Sequence, residues 1–192
     1  MKLKELVSVE SGLNSREIKG KFAELYSISD FKSDLKSNFK EKTIRSFRKN
    51  SSVLHEGDIV MSLQEFKVAI VSSKNDGKIF SQRYIKLIPK DLSKIKVSYL
   101  LFLINESVDI KKQINSLLEG SVLKLLKMKN VENIDIQLPS MEYQKQIGKY
   151  YQLLKEKEYL TEKKMSILRG LSIEYLNNLN KKGEMNYGRV KK

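Results

Sequence analysis

The chain contains no cysteine. That excludes a disulfide framework, a thiolate metal site and a thiol nucleophile, and it is compatible with a reducing cytoplasm. A single histidine, His55 beside Glu56, leaves imidazole clusters and histidine-based triads without members. A lone histidine in a loop reads as structural or solvated. HExxH, Walker A and GxGxxG runs are all missing, so zinc hydrolysis, P-loop chemistry and dinucleotide redox chemistry lack their signatures, and no cofactor is expected. The longest apolar run, VSYLLFLI at 97–104, is far shorter than the roughly 20 residues that span a bilayer. The amino terminus MKLKELVSVESG has no signal-peptide core. The expectation is a cytoplasmic protein, neither secreted nor membrane-spanning.

Acidic residues are also scarce relative to basic ones. Lys and Arg number 37 against 23 Asp and Glu, a formal charge of +14, which predicts attraction to polyanions. On charge alone DNA, RNA and anionic membrane stay open. With 192 residues, 40% hydrophobic and only two prolines, the chain has the composition of a folded globular protein with one main domain and an appendage.

The strongest basic cluster of the first half lies between Phe31 and Asn50. Lys32, Lys36, Lys40, Lys42, Arg45, Arg48 and Lys49 stand there against Asp34 and Glu41, with Phe31, Phe39 and Phe47 interleaved. One reading is a loop or short helix that lays cations along phosphates and gains affinity from counterion release. The other is a solvated face over buried phenylalanines.

Residues 1–30 mix short apolar alternations with polar stretches around Gly12 and Gly20, which suggests short strands and loops. From Glu56 the pattern is β: DIVMSL, KVAIVSS and KIFSQRYIKLI predict a three-stranded antiparallel meander, the last two strands joined by a turn at Asn75, Asp76 and Gly77. After Pro89 the period becomes helical. Val97–Ser107 and Asp109–Glu119 carry apolar residues three and four apart, with Ser98 and Asp109 as capping candidates and Gly120 as a stop. A short strand, IDIQL, precedes Pro139.

Ser140 and Glu142 then mark the start of a helix that continues through Gly170 to about Lys181, roughly 40 residues and ~60 Å at 1.5 Å per residue. Positions 147, 151, 154, 158, 161, 165, 168, 172, 175 and 179 alternate steps of four and three. Ile147, Tyr151, Leu154, Met165, Leu168, Tyr175 and Leu179 are the apolar members of this seam, the pattern of a coiled coil. Tyr150, Leu153, Leu160, Ile167 and Leu171 widen the stripe. A helix longer than the domain is wide calls for a partner, while folding back on its own domain is the competing reading. Together these elements predict an α+β chain: a mixed or antiparallel sheet with short helices over 1–140, a long coiled-coil-forming helix over 141–181 and a basic tail over 182–192.

One catalytic arrangement stands against this background. Asp58 at a strand start, followed by Glu65-Phe66-Lys67, has the acid then acid-x-lysine order of magnesium nucleases, with the carboxylates as metal ligands and Lys67 activating water. Acid-x-lysine triplets recur in a chain with 31% charged residues, so the triplet carries little weight.

Three segments have a common likeness. HEGDIVMS, KIFSQRYIKLIPK and above all EGSVLKLLKMKNVENIDIQLPSMEYQKQI resemble elements of the specificity subunits of type I restriction–modification systems. Gly120, Ser121, Leu138, Pro139, Gln146 and Ile147 fit the last of these; Gln144 and Gln146 both suit the glutamine position, and Tyr143 stands where an acid is usual. The resemblance covers essentially the whole chain and implies a half-length form, with one target recognition domain and one conserved helix. It further implies sequence-specific binding of double-stranded DNA and no catalysis by this chain. A homodimer, or pairing with another half subunit through antiparallel helices, is implied too, with docking of a methyltransferase subunit and of a restriction subunit. By side-chain chemistry Arg45, Arg48, Gln64, Gln82 and Arg83 suit base edges, while Lys32, Lys36, Lys40, Lys42, Lys49 and Lys67 suit phosphates. The competing functional readings are the magnesium nuclease and a non-specific nucleic-acid-binding assembly protein.

Overall fold

A computed structural model describes residues 1–18, 24–37, 52–118 and 126–189. The chain divides into two units, Met1–Lys155 and Glu156–Lys192. The first unit begins with a single helical turn, α1 (Leu3–Leu6), followed by strand β1 (Val7–Ser11) and helices α2 (Ser15–Ile18) and α3 (Ile28–Lys36). Strands β2 (Ile59–Ser62), β3 (Lys67–Ile70) and β4 (Tyr84–Pro89) come next, and then α4 (Val97–Glu106), α5 (Val108–Leu118), α6 (Met128–Glu132) and the start of α7 (Met141–Arg189).

The four strands form one antiparallel sheet in the order β1-β4-β2-β3. The expected three-stranded meander is therefore corrected. β4 pairs with β2, Val60 opposite Lys86, and not with β3. The predicted turn at Asn75–Gly77 is part of a longer connection containing a 3₁₀ turn at Ser73–Asn75, after which Ile79 and Ser81 make only isolated bridges. The physical reason lies at the outer edge of β3. Buried Asn105 of α4 accepts from the Val68 N–H at 2.8 Å and donates to the Val68 carbonyl at 3.0 Å, so a side-chain amide takes the place of a further strand there. IDIQL likewise makes only the bridge Lys2–Asp135.

β2 and β4 are buried along their whole length because helices cover both faces of the sheet, which is why they read as apolar runs and not as alternations. Ile59, Met61, Val68, Ile70, Ile85 and Leu87 point to the core shared with α1, α4, α5 and α6. Val60, Ala69, Val71 and Tyr84 point the other way, to a smaller core with Tyr26, Phe31, Leu54 and Phe80.

On that second face Lys86 is 1% exposed in the middle of the sheet. A bare ammonium there would be prohibitive to bury, and Asp58 meets it at 2.8 Å while the Val53 carbonyl accepts a second bond at 3.2 Å. Asp58 also accepts from the His55 N–H at 2.9 Å, and Gly57, at φ 90°, makes the turn that brings this carboxylate inward. HEGD is thus a folding element that delivers one anion to one buried cation.

α4 is apolar nearly all round because it lies inside the unit, with eight of its residues buried. The N-cap of α4 is Lys96 and not Ser98, and the Lys96 side chain makes no capping hydrogen bond. The Lys96 N–H is instead accepted by Gln144 from α7 at 3.1 Å, and the Gln144 amide donates to the Lys94 and Pro139 carbonyls. Gln144 is 2% exposed whereas Gln146 is exposed, so of the two candidate glutamines at this helix start Gln144 is the buried one. One turn on, a methyl group at Gly148 would lie 2.9 Å from Ser98 Cβ, so α4 and α7 approach to backbone contact only because position 148 has no side chain.

This packing draws the beginning of α7 into the first unit, which ends at Lys155 and not at 140. Two residues assigned to the partner seam are consumed by it. Tyr151 is 5% exposed in the main core, its hydroxyl accepts from Asn105 Nδ2 at 3.1 Å, and Ile147 packs against the same core. The second unit is the remainder of α7, which continues to Arg189 where a tail had been expected from 182. Its described side chains are all exposed, including Met165, Leu168, Tyr175 and Leu179; Leu154, just before it, is exposed as well.

Replacing Asp58 with Ala strands the Lys86 charge, and a loss of about 3–5 kcal/mol is expected in urea unfolding. Adding Lys86→Met to that variant removes the stranded charge and is expected to restore most of the loss.

Candidate nucleic-acid interface

The β2–β3 turn, residues 63–66, stands beside the start of β4. The Leu63 N–H donates to the Arg83 carbonyl at 2.9 Å, and Ser62 is in register with Tyr84. Buried Ser62 holds the turn from inside: its hydroxyl accepts from the Gln64 and Glu65 N–H groups at 3.4 and 3.1 Å. Phe66 adopts φ 56°, a left-handed conformation that costs a non-glycine residue of order 1 kcal/mol or more, with its ring packed against the main core. Gln64, Glu65, Gln82 and Arg83 are consequently exposed side chains on a pinned backbone.

Helix α3 reaches the same place. Ser27 and Asp30 form a reciprocal capping box at its start, and Lys78 binds Asp30 at 3.0 Å, docking the helix on the segment before β4. Inside, the Tyr26 hydroxyl donates to Asp34 at 2.7 Å, and Asp34 also accepts from the Ser72 N–H. Burial, followed by the charge of Asp34 and its hydrogen bond, holds the Tyr26 hydroxyl far above the usual phenol range, so it stays a donor. Lys32 then projects from α3 to 4.0 Å from Glu65, with both side chains largely in solvent. The Tyr84 hydroxyl is pushed up by burial, opposed by the charge of Arg83 and reinforced by Asp30 and Glu65. The Lys32–Glu65 approach and the Leu63–Arg83 hydrogen bond place α3, the turn and the start of β4 side by side.

Of the residues assigned to nucleic acid, the structure brings Lys32, Gln64, Gln82 and Arg83 to this surface. Lys36 is exposed on the last turn of α3. Lys67 is turned elsewhere, to Glu106 at 3.6 Å. Lys40, Lys42, Arg45, Arg48 and Lys49 lie outside the described residues. The sequence reading attached Glu65 to a metal and missed it as a neighbour of Lys32. It also missed Lys86, whose signal was a cation at a β-alternation position between Tyr84 and Ile88.

The nuclease arrangement is not assembled. Asp58 is 4% exposed and committed to Lys86, Glu65 faces Lys32, and Lys67 faces Glu106. Among the described residues no group of three acidic or histidine side chains converges on a metal-sized site. Among the same residues no helix is long and apolar enough to cross a membrane.

Comparison with known proteins decides the family. The model of the type I restriction modification DNA specificity domain matches residues 1–169. The chain belongs to that family. This specificity domain has the fold of solved HsdS subunits. It is similar to the HsdS subunit from Thermoanaerobacter tengcongensis, with a TM-score of 0.52 and 18% identity over 85% of this chain and 38% of that one. It is similar to the type I restriction–modification S subunit from M. genitalium, with a TM-score of 0.61 and 12% identity over 91% and 43%. A third likeness is to a chain from a structure on complex assembly and conformational transition of the type I R-M system, with a TM-score of 0.55 and 15% identity over 88% and 40%. The chain thus spans about two-fifths of each solved chain, 38–43%. No curated protein matches it.

The ion pair that docks α3 sets a pH window for the specificity domain. Partial burial alone would raise the Asp30 pKa, but the hydrogen bonds from Ser27 and Lys78 outweigh it and hold the carboxyl below its ordinary 3.8. A lowered carboxyl pKa stabilises the fold above the unfolded-state value, and that contribution is lost as pH falls through the folded-state value. Lys78 is raised above 10.5, chiefly by the Asp30 hydrogen bond, so its contribution is lost only as the solution becomes strongly alkaline. Asp30→Asn is expected to lower the unfolding midpoint at neutral pH and to flatten the loss of stability below about pH 4, read by thermal melts across the acid range.

Proposed function

We propose that this chain is a half-length specificity subunit that binds double-stranded DNA sequence-specifically in the cytoplasm. In this reading it pairs with a second half subunit, most simply a copy of itself, and directs a type I methyltransferase subunit, and a restriction subunit where one accompanies it, to a bipartite target. The observation that carries the reading is the family match over residues 1–169, joined to a pinned, polar, cation-bearing surface at Lys32, Gln64, Gln82 and Arg83. Arg83 and the two glutamines have bidentate groups suited to base edges, while Lys32 and Lys36 suit phosphates. Lys40, Lys42, Arg45, Arg48 and Lys49 are assigned to the same interface on their chemistry.

Pairing is assigned to the exposed seam. Leu154, Met165, Leu168, Tyr175 and Leu179 are 46–64% exposed, a surface that a helix keeps apolar when another helix covers it. A two-fold pair would place two recognition domains at a fixed distance, which is what a bipartite site with constant spacing requires.

The purified chain, with and without its methyltransferase subunit, is to be offered a random-sequence duplex pool at two salt concentrations and the bound DNA sequenced. A bipartite motif of constant spacing is the expected result. Salt-sensitive binding with no enriched sequence in either preparation would overturn the reading in favour of a non-specific binder. Leu168→Glu is expected to halve the solution mass of the isolated chain in light scattering and to reduce the selected motif to a single half-site.

A further inference from the structure

The β2–β3 turn carries an acid where a phosphate-binding surface would place none. Glu65 is exposed in a chain of net charge +14, next to Lys32 of α3 at 4.0 Å and on the turn whose Leu63 N–H donates to the Arg83 carbonyl. A carboxylate repels phosphate and can only accept hydrogen bonds, so it is unsuited to the DNA backbone. Its backbone is nevertheless fixed with unusual care. The Ser62 hydroxyl accepts from its N–H, the Phe66 N–H donates to the Ser62 carbonyl at 3.0 Å, and the Leu63 carbonyl accepts from Leu126 at 3.0 Å. The left-handed Phe66 anchors the far side of the turn in the core. A solvated surface acid needs none of this, whereas a group that must meet a donor at a set point gains from being held in place.

We propose that Glu65 is a specificity-determining residue that accepts a hydrogen bond from the exocyclic amino group of a cytosine or adenine in the major groove. The proposal rests on the DNA-reading function above and deepens it. Amino groups are the hydrogen-bond donors that base pairs present in that groove, and a carboxylate rejects the carbonyl and ring-nitrogen acceptors of the other bases. Lys32, on the adjacent helix, lies 4.0 Å from the carboxylate in the free protein, and on binding its ammonium is placed for a flanking phosphate. Glu65 therefore costs some general affinity and returns discrimination at one base pair.

The test is selection from the random duplex pool with the whole chain, comparing the unaltered protein with Glu65→Ala and Glu65→Gln. The side chain is at an exposed tip, and thermal melts check that each variant keeps its unfolding midpoint. Glu65→Ala is expected to lose about tenfold in preference at one cytosine or adenine column, with the other columns intact. Glu65→Gln is expected to relax the same column. Replacing that base by 2-pyrimidinone or by purine, which lack the amino group, should weaken binding of the unaltered protein about tenfold and leave Glu65→Ala indifferent. An unchanged motif in Glu65→Ala, with tighter binding to every duplex at low salt, overturns the proposal and makes the acid a counter-charge to Lys32; the specificity reading then stands. Absence of any motif from the unaltered protein overturns both.

Discussion

A lysine ammonium lies in the centre of the sheet, and the arrangement around it depends on how its charge is met. Lys86 is on the face of β4 that shares a core with Tyr26, Phe31 and Phe80, so its apolar stem packs there while its head must find an anion. Asp58 is that anion, and it can arrive only because Gly57 turns the chain at φ 90° just before β2. The same carboxylate and peptide unit tie His55 and Val71 into the sheet, so the surroundings of one ion pair join the start of β2, the end of β3 and residues Val53 and His55 just before β2. A hydrophobic pair of equal volume would not specify that register, because apolar contacts tolerate slippage that a buried charge does not.

Side-chain amides do comparable service at the borders of the first unit. Asn105 occupies the outer edge of β3, Gln144 closes the open amino end of α4, and Gln113 donates to and accepts from the backbone of Asp135 at 2.9 and 2.8 Å. Each gives backbone groups the partners that a neighbouring strand or helix turn would have supplied, as Asn105 does for Val68 on the outer edge of β3. Asn105 also joins Tyr151 to β3 and thereby brings the start of α7 into the main core.

The nucleic-acid surface inherits its rigidity from this framework. The turn bearing Gln64 and Glu65 is braced by Ser62, Leu63 and Phe66, and α3 is braced by its capping box and by Lys78. Lys32, Gln64, Gln82 and Arg83 were legible in the sequence as polar groups suited by their chemistry to nucleic acid, and Gln64 also by its place between two apolar runs. Their convergence was not legible, since it comes from β4 pairing with β2 across a connection of residues 71–83. Asp58 and Lys67 misled for the same reason: their neighbours, Lys86 and Glu106, are distant in sequence and come from other elements.

Composition, charge and periodicity by themselves determined the class of molecule: an α+β chain without cysteine and without zinc-hydrolase, P-loop or dinucleotide-binding motifs, strongly cationic, with one long helix carrying an apolar seam. Those properties are local or additive, so a linear pattern suffices to carry them. Three matters waited for the tertiary structure. These were the strand order, the division of the long helix into a core-packed start and an exposed remainder, and the inward use of Asp58, Gln144, Gly148 and Tyr151. Each depends on which surfaces meet across many residues of chain, where burial converts a polar side chain from a solvated group into one that must find a particular partner. A seam position such as Tyr151 has the same spacing as Leu168, and only the presence of Asn105 beside the first decides that it belongs to the core.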